Sequence, residues 1–159
     1  SQSAIPIGEE DNCGMMFEKL SYLGRDLLLE TIDKLIEGQI VPIKQDVSKV
    51  TFAYNVTKEE ERLDFTKTAQ EVYNHIRAYY PSPIAYTIFN GEILKIYESR
   101  VLDDTHNKEI GTFFLKDKTR ICVACNNHTV LELLVVQPSG KKVMKAKDFA
   151  NGGFRKYLK

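Results

Sequence analysis

The stretch Tyr86-Thr-Ile-Phe-Asn-Gly-Glu-Ile-Leu-Lys-Ile-Tyr-Glu-Ser-Arg-Val101 decides how most of this chain folds. Two runs with a period of two, Tyr86–Phe89 and Ile93–Val101, flank Asn90-Gly91. Asn-Gly is the strongest short hairpin signal, because a two-residue turn of the hairpin type needs positive φ at both central positions. Downstream the alternation continues, and strands are predicted at Thr112–Leu115, Thr119–Ala124 and Thr129–Val136. The breaks between them, Asp103–Lys108, Lys116–Lys118 and Cys125–His128, are turn-rich. Five short strands at this spacing predict a small closed β-barrel of the OB type. Lys147–Asn151 is read as a helical turn before Gly152-Gly153.

Upstream of the hairpin the period is helical. Thr68 and Glu71 form a capping box, in which the hydroxyl takes an amide of the first turn and the carboxylate reaches back to the cap amide. A helix follows to about Tyr80, with Ala69, Val72, Tyr73, Ile76 and Tyr80 on one face. Pro81-Ser-Pro83 ends it, since the residue before a proline is driven from helical angles. The acidic run around Thr57-Lys-Glu-Glu-Glu61 is a solvated stretch and the expected boundary between units. Ile40–Phe52 reads as an extended crossing segment. Before it, Met16, Leu20, Leu23, Leu27, Leu28, Ile32, Leu35 and Ile36 recur with a helical period, capped by Asp11 or Asn12 and stopped at Gly38. Ala4–Ile7 reads as a short strand. One strand and one helix bury little alone, so this piece is expected to belong to a sheet supplied elsewhere.

The composition, 43% hydrophobic and 28% charged over 159 residues, is that of a globular protein. No apolar run approaches the roughly 18 residues of a membrane span, and the start has no signal-peptide pattern. Three cysteines suit no secreted disulfide framework. Cys122-Val-Ala-Cys125 has a metal-site spelling, but on a strand residues three apart point to opposite faces. Small buried barrel residues are the simpler reading, and no metal is expected. The net charge is zero, yet residues 1–66 carry an excess of six negative charges and residues 138–159 an excess of six positive. A polyanion prefers the last third, unless that third is simply a solvated tail.

Several segments together resemble the methionyl-tRNA formyltransferases. They are Ile5-Pro-Ile-Gly8, Leu27-Leu-Leu-Glu-Thr-Ile-Asp-Lys-Leu35, Gln45-Asp46, and Thr57-Lys-Glu followed by Arg62-Leu-Asp64-Phe65. Next come Ala69, Ile76-Arg77, Pro81-x-Pro83-x-Ala85-Tyr-Thr87, Leu94-Lys95-Ile96 and Gly111-Thr112. The last block is Leu131-x-Leu133, Gln137-Pro-x-Gly140-Lys141-Lys142-x-Met144 and Asp148-Phe149-x-x-Gly152. The order is that of the family over residues 4–152. The resemblance implies a carboxy-terminal part of the enzyme that formylates methionyl-initiator tRNA from 10-formyltetrahydrofolate in the cytoplasm. It further implies an α+β, mostly β architecture. Residues 1–45 would be the last strand and helix of a Rossmann-like catalytic domain, 46–83 a linker with its helix, and 84–159 an OB-like barrel with a basic tail.

Some features depart from the family. Its catalytic Asn and His lie around an S-L-L-P motif and its Asp in a D-x-G context, and neither motif occurs here. His75, His106 and His128 inherit no such place, so no catalytic residue is expected and the chain alone should be inactive. It is expected to bind no cofactor itself, the folate donor being the parent enzyme's. Phe65 and Ser82 stand where the family often has Trp, and Ile84 replaces Gly. Ser82 leans toward the sugar-nucleotide formyltransferases, whereas Gly140-Lys-Lys-x-Met144 leans toward the tRNA branch.

The resemblance names initiator methionyl-tRNA and an amino-terminal catalytic domain as partners. Candidate tRNA-binding residues are Lys58, Arg62, Arg77, Lys141, Lys142, Lys145, Lys147 and Arg155, whose cationic groups would neutralise phosphates. Arg77 can equally pair with an acidic neighbour. Lys95 and Arg100 are five residues apart and are expected on opposite faces of one strand. Tyr79, Tyr80 and Tyr86 can stack on bases or pack beneath the barrel. Rival readings are a sugar-nucleotide formyltransferase, a free-standing RNA-binding OB module and a dimerising segment built on the orphan helix.

Overall fold

The computed structural model describes residues 1–154, with Ser1–Val56 and Thr57 onward forming two compact units. In the first, helix α1 spans Cys13–Ile36. Asn12 caps it, its side-chain oxygen accepting from the Met15 amide at 3.0 Å. Asp11 instead accepts from the Gly8 amide at 2.7 Å and from Lys19 Nζ at 2.6 Å. The helix stops before Gly38, whose φ of +70° favours a residue without Cβ. No residue of α1 is buried, and Leu20, Leu28, Leu35 and Ile36 are exposed. Ala4–Ile7 forms no strand among the described residues, contrary to the sequence reading. A strand exists only where a neighbour takes its backbone hydrogen bonds, and the first unit offers none. Ile40–Phe52 is irregular apart from a 3₁₀ turn at Val47–Lys49.

The second unit is α+β. It holds α2 (Ala69–Ala78), β1 (Tyr86–Phe89), β2 (Glu92–Thr105), β3 (Phe113–Lys116), β4 (Arg120–Ala124), β5 (Thr129–Pro138), β6 (Met144–Lys145) and the short helix α3 (Ala146–Phe149). A π-helical turn, Ala150–Phe154, closes the described chain. The capping box forms: Thr68 Oγ1 accepts from the Glu71 amide at 3.3 Å, and Glu71 Oε2 accepts from the Thr68 amide at 2.9 Å. Ala69, Val72 and Ile76 on one stripe of α2 join the same core as Leu94, Ile96, Ile121, Leu131, Leu133 and Val136.

All sheet pairs are antiparallel, in the order β1-β2-β5-β4-β3, with β6 also on β5. The predicted hairpin is present, with φ of +51° at Asn90 and +80° at Gly91. Asp117 (φ +51°) and Lys118 (φ +65°) make a similar turn between β3 and β4. The expectation of a closed barrel is corrected. Among the described residues the sheet is an open path, and no hydrogen-bonded ladder joins β1 to β3. The sheet nevertheless rolls, because the Phe89 ring of β1 lies 4.9 Å from the Phe113 ring of β3, and Phe65 meets Phe113 edge-on at 5.8 Å. Aromatic packing therefore brings the two end strands together where backbone pairing does not. The outer edge of β1 is partly covered by Glu61–Leu63, through Leu63 N–H to Tyr86 O (2.8 Å) and Tyr86 N–H to Glu61 O (3.0 Å).

Strand β2 contains a second correction. Its pairing with β5 shifts between Ile96 and Ser99. Leu94, Ile96 and Val101 all pack on the core, so the inward parity changes from even to odd positions across the bulge. Lys95 and Arg100 thus share the outer face rather than opposing faces. Two stability tests follow from this packing. Thr68→Ala should lower unfolding stability by about 1 kcal/mol through the lost cap. Leu131→Ala, at a fully buried position, should cost about 3 kcal/mol through the cavity left. Urea unfolding of the intact chain checks both, and a Leu131→Ala loss below that of Thr68→Ala would contradict this core.

Candidate nucleic-acid interface

After β5 ends at Pro138 the chain turns through Ser139 and Gly140, the latter at φ +66°. The Lys141 amide donates to Pro138 O at 3.0 Å, and Gln137 Nε2 donates to Lys141 O at 3.0 Å. The chain then runs back as β6, pairing Met144 with Val136 and Lys145 with Val135. Met144 packs on the core, so alternation leaves Lys145 exposed; Lys147 is exposed on α3 beside the buried Ala146, as Lys141 and Lys142 are in the turn. None of these four lysines makes an ion pair among the described residues. Four unneutralised ammonium groups within seven residues set up a local positive field that the zero net charge conceals.

Other basic groups are engaged. Lys58 is ion-paired with Glu61, and its ammonium lies 4.7 Å from the centre of the Tyr86 ring. Arg62 is exposed, and its backbone bridges to Tyr86. Arg77 is half-buried on α2, with Nε donating to Asn74 Oδ1 at 3.0 Å and its guanidinium 5.8 Å from the Tyr73 ring. Arg155 lies outside the described residues. One row links some of these groups. Tyr86, Lys95 and Gln137 are side-by-side partners across β1, β2 and β5. Register partners face the same way, so Lys58 over Tyr86, then Lys95, then Gln137 against Lys141, forms a strip along the outer face. Sequence spacing did not mark Lys95, because the register that places it in the strip is a property of the folded sheet.

Arg100 is occupied elsewhere. Its Nη2 donates to Glu132 Oε2 at 2.6 Å, while Arg120 donates to both oxygens of the same carboxylate at 2.7 Å. Glu132 is only 4% exposed, and the two guanidiniums reach outward from it. The bonds from Arg120, with those from Arg100, hold the Glu132 carboxyl below the ordinary carboxylate range despite burial. Cys122 lies on this face and Cys125 in the core, as strand alternation requires. Burial pushes their thiols up to about 11 and about 12 respectively, so neither offers a thiolate at neutral pH. No cluster of three or more His, Cys, Asp or Glu suited to a metal occurs among the described residues, and none of their helices is long and apolar enough to cross a membrane.

The histidines and tyrosines sit in packing contacts. His75 stacks on Tyr79 at 4.5 Å, and burial lowers its proton affinity. His106 is buried, with Nε2 2.8 Å from Cys125 O, while Nδ1 accepts from the Lys108 amide at 3.1 Å. Tyr80 meets Tyr97 edge-on, and Tyr86 is buried beneath Lys58.

Residues 55–153 match the family model described as formyl transferase, C-terminal domain. The chain is 46% identical over 157 residues to the methionyl-tRNA formyltransferase of Lactococcus lactis subsp. cremoris (strain MG1363), covering 96% of this chain and 48% of that protein. It therefore spans about half the length of that relative. Among solved structures, a variant of HypX from Aquifex aeolicus superposes with a TM-score of 0.67 at 12% identity, over 95% of this chain and 28% of that one. The N-formyltransferase from Helicobacter canadensis, in complex with folinic acid and dTDP-3-aminofucose, gives 0.57 at 21%, over 84% of this chain and 47% of that one. At these identities the likeness to solved structures is one of fold.

The Glu132 cluster makes a pH-dependent prediction. A carboxyl depressed in the folded state contributes stability that is complete above its unfolded value of about 4.3 and is lost as pH falls through the lower folded value. Glu132→Gln should cost about 2 kcal/mol at neutral pH. It should also lose less stability than the parent chain on acidification, so their urea-unfolding curves converge at low pH. Parallel pH profiles would place the acid sensitivity in other carboxylates.

Proposed function

We propose, from the premise that this chain belongs to the formyl transferase C-terminal domain family, that it is the substrate-holding part of a methionyl-tRNA formyltransferase. The observation that carries the reading is the lysine hairpin. Among the described residues, Lys141 and Lys142 in the turn, Lys145 in β6 and Lys147 in α3 are exposed and make no ion pair, while Lys58, Arg100, Lys116 and Arg120 are tied into ion pairs. Surface ammonium groups without partners are the ones available to neutralise phosphates, and each neutralised phosphate releases counterions. Lys95, on the same outer strip, extends this surface past the ion-paired Lys58 toward Arg62, and Arg77 adds a charge on α2. The rolled sheet supports an OB-like reading, in which the outer face of the roll meets the nucleic acid and the core beneath keeps it rigid.

In this proposal the substrate is initiator methionyl-tRNA, and the formyl donor is a reduced folate bound by a catalytic domain. The high identity to a methionyl-tRNA formyltransferase and the folinic acid in the H. canadensis structure support that assignment. Residues 1–45 belong to the catalytic domain, 46–83 to the linker and 84–159 to the tRNA-holding part. The unburied apolar stripe of α1 supports the first of these assignments, because such a stripe packs on a sheet in a larger domain. Acting on tRNA places the protein in the cytoplasm. The chain's part in the reaction is to position the charged tRNA, since binding energy spent on remote phosphates aligns the reacting amine without touching it.

Binding of the chain to initiator methionyl-tRNA across a salt series tests the proposal. Affinity should fall steeply with salt, and Lys141→Ala/Lys142→Ala should make the log–log slope shallower by about two. No binding at low salt, or an unchanged slope in the double variant, would overturn the lysine hairpin as the grip and favour a small-substrate formyltransferase.

A further inference from the structure

We propose that Tyr97 and Gln137 are positioning residues that aim the lysine turn at its phosphates. The inference rests on the phosphate-gripping reading above and names the side chains that hold the grip in shape. Tyr97 Oη donates to Gln137 Oε1 at 2.9 Å, and Gln137 Nε2 donates to Lys141 O at 3.0 Å. A carbonyl oxygen can only accept, so the side-chain amide turns its nitrogen to Lys141 and its oxygen to Tyr97. The phenol is then the donor, and the order of the relay is fixed by chemistry.

The other side of Lys141 is held as well. Its amide donates to Pro138 O at 3.0 Å, closing a four-residue turn in which Gly140 has φ of +66°. The two peptide groups flanking the Lys141 Cα are therefore both pinned, one through its N–H and the other through its C=O. Peptide groups are planar, so pinning both fixes φ and ψ of Lys141 and the direction in which its side chain leaves the backbone. Lys142 starts from the second of those peptides. Both lysines are exposed and make no ion pair among the described residues, so backbone placement is what orders them.

The bulge in β2 explains how Tyr97 comes to start the relay. Ile96 pairs with Val136 and Glu98 with Val135, so Tyr97 is the extra residue, opposite none of its own. A bulge re-aims the side chain it leaves unpaired. Here the hydroxyl reaches Gln137, while Tyr80 meets the Tyr97 ring edge-on at 6.5 Å. Tyr97 and Gln137 are both half-buried, which shields the bond between them from water. A turn already ordered in the free protein loses little freedom when the phosphates arrive, and that saving appears as affinity.

The test measures affinity of the intact chain for initiator methionyl-tRNA across a salt series, with Tyr97→Phe and Gln137→Met. Tyr97→Phe removes one hydroxyl and should weaken binding about fivefold, the scale of one hydrogen bond. Gln137→Met breaks both links and should weaken it about tenfold, since the turn must then be ordered on binding. Neither variant removes a cation, so the log–log slope should stay that of the parent chain. Hydrogen exchange should quicken at the Lys141 amide and not at the Leu131 amide, whereas a general loss of stability quickens both. In a Lys141→Ala/Lys142→Ala background the Tyr97→Phe penalty should disappear, because the lysines it places are gone. Tyr97→Phe binding as tightly as the parent, or keeping its full penalty in that background, would overturn the positioning role and leave the phosphate grip standing. No binding of the parent chain at low salt would overturn both.

Discussion

A central strand must send alternate side chains to opposite sides of its sheet, and in β5 that constraint organises the second unit. Leu131 and Leu133, and Val136 beyond the register shift at Leu134, go inward, where they meet α2 and the inner residues of β2 and β4. Glu132, between two of them, has to face the other way. A carboxylate at the middle of a sheet is covered by its neighbours' side chains, and it is tolerated only because Arg100 and Arg120 reach it from the flanking strands. The apolar core and the ion cluster are thus two consequences of one alternation, on opposite faces of the same strand. The bulge in β2 keeps this arrangement consistent, since without it Arg100 would point into the core and Val101 away from it.

The end of β5 then determines where charge is left free. The chain reverses at Gly140 and returns as β6, whose short pairing with β5 holds Met144 inward and the lysines outward. Elsewhere in the unit, Lys58, Arg100, Lys116 and Arg120 have carboxylates within reach and are neutralised. In the hairpin the lysines have none among the described residues, because the segment is nearly devoid of acidic residues. Field strength here comes less from how many cations the protein owns than from which of them lack a partner. That distinction gives Lys141 a standing that Arg120, though permanently charged, lacks.

The first unit obeys the opposite condition. Its helix has a well-formed cap and stop, and local signals suffice to form both. Its apolar stripe is nevertheless uncovered by anything in the unit. Local chemistry can make a helix and still not provide the surface it should bury. The missing strand at Ala4–Ile7 has the same origin, since a strand is a relation between two segments and its composition alone cannot supply the second.

Much of the architecture was legible in the residues. The Asn90-Gly91 turn, the Thr68–Glu71 capping box, the helix limits at Asn12 and Gly38, and most strand positions depend on nearest neighbours, which sequence displays directly. The clustering of Lys141, Lys142, Lys145 and Lys147 was legible for the same reason. Three things were not. The way the open sheet's end strands are brought together depends on Phe89 meeting Phe113 across the roll; the shared face of Lys95 and Arg100 depends on a bulge; the pairing of Arg100 with Glu132 depends on register. Each is a contact between residues distant in the chain, and alternation read along one strand carries no information about its alignment with the next. By itself, then, the sequence determined the elements, their caps and turns, and where positive charge accumulates. The tertiary structure alone decided which charges meet partners and which remain available, because neutralisation depends on distances that only packing establishes.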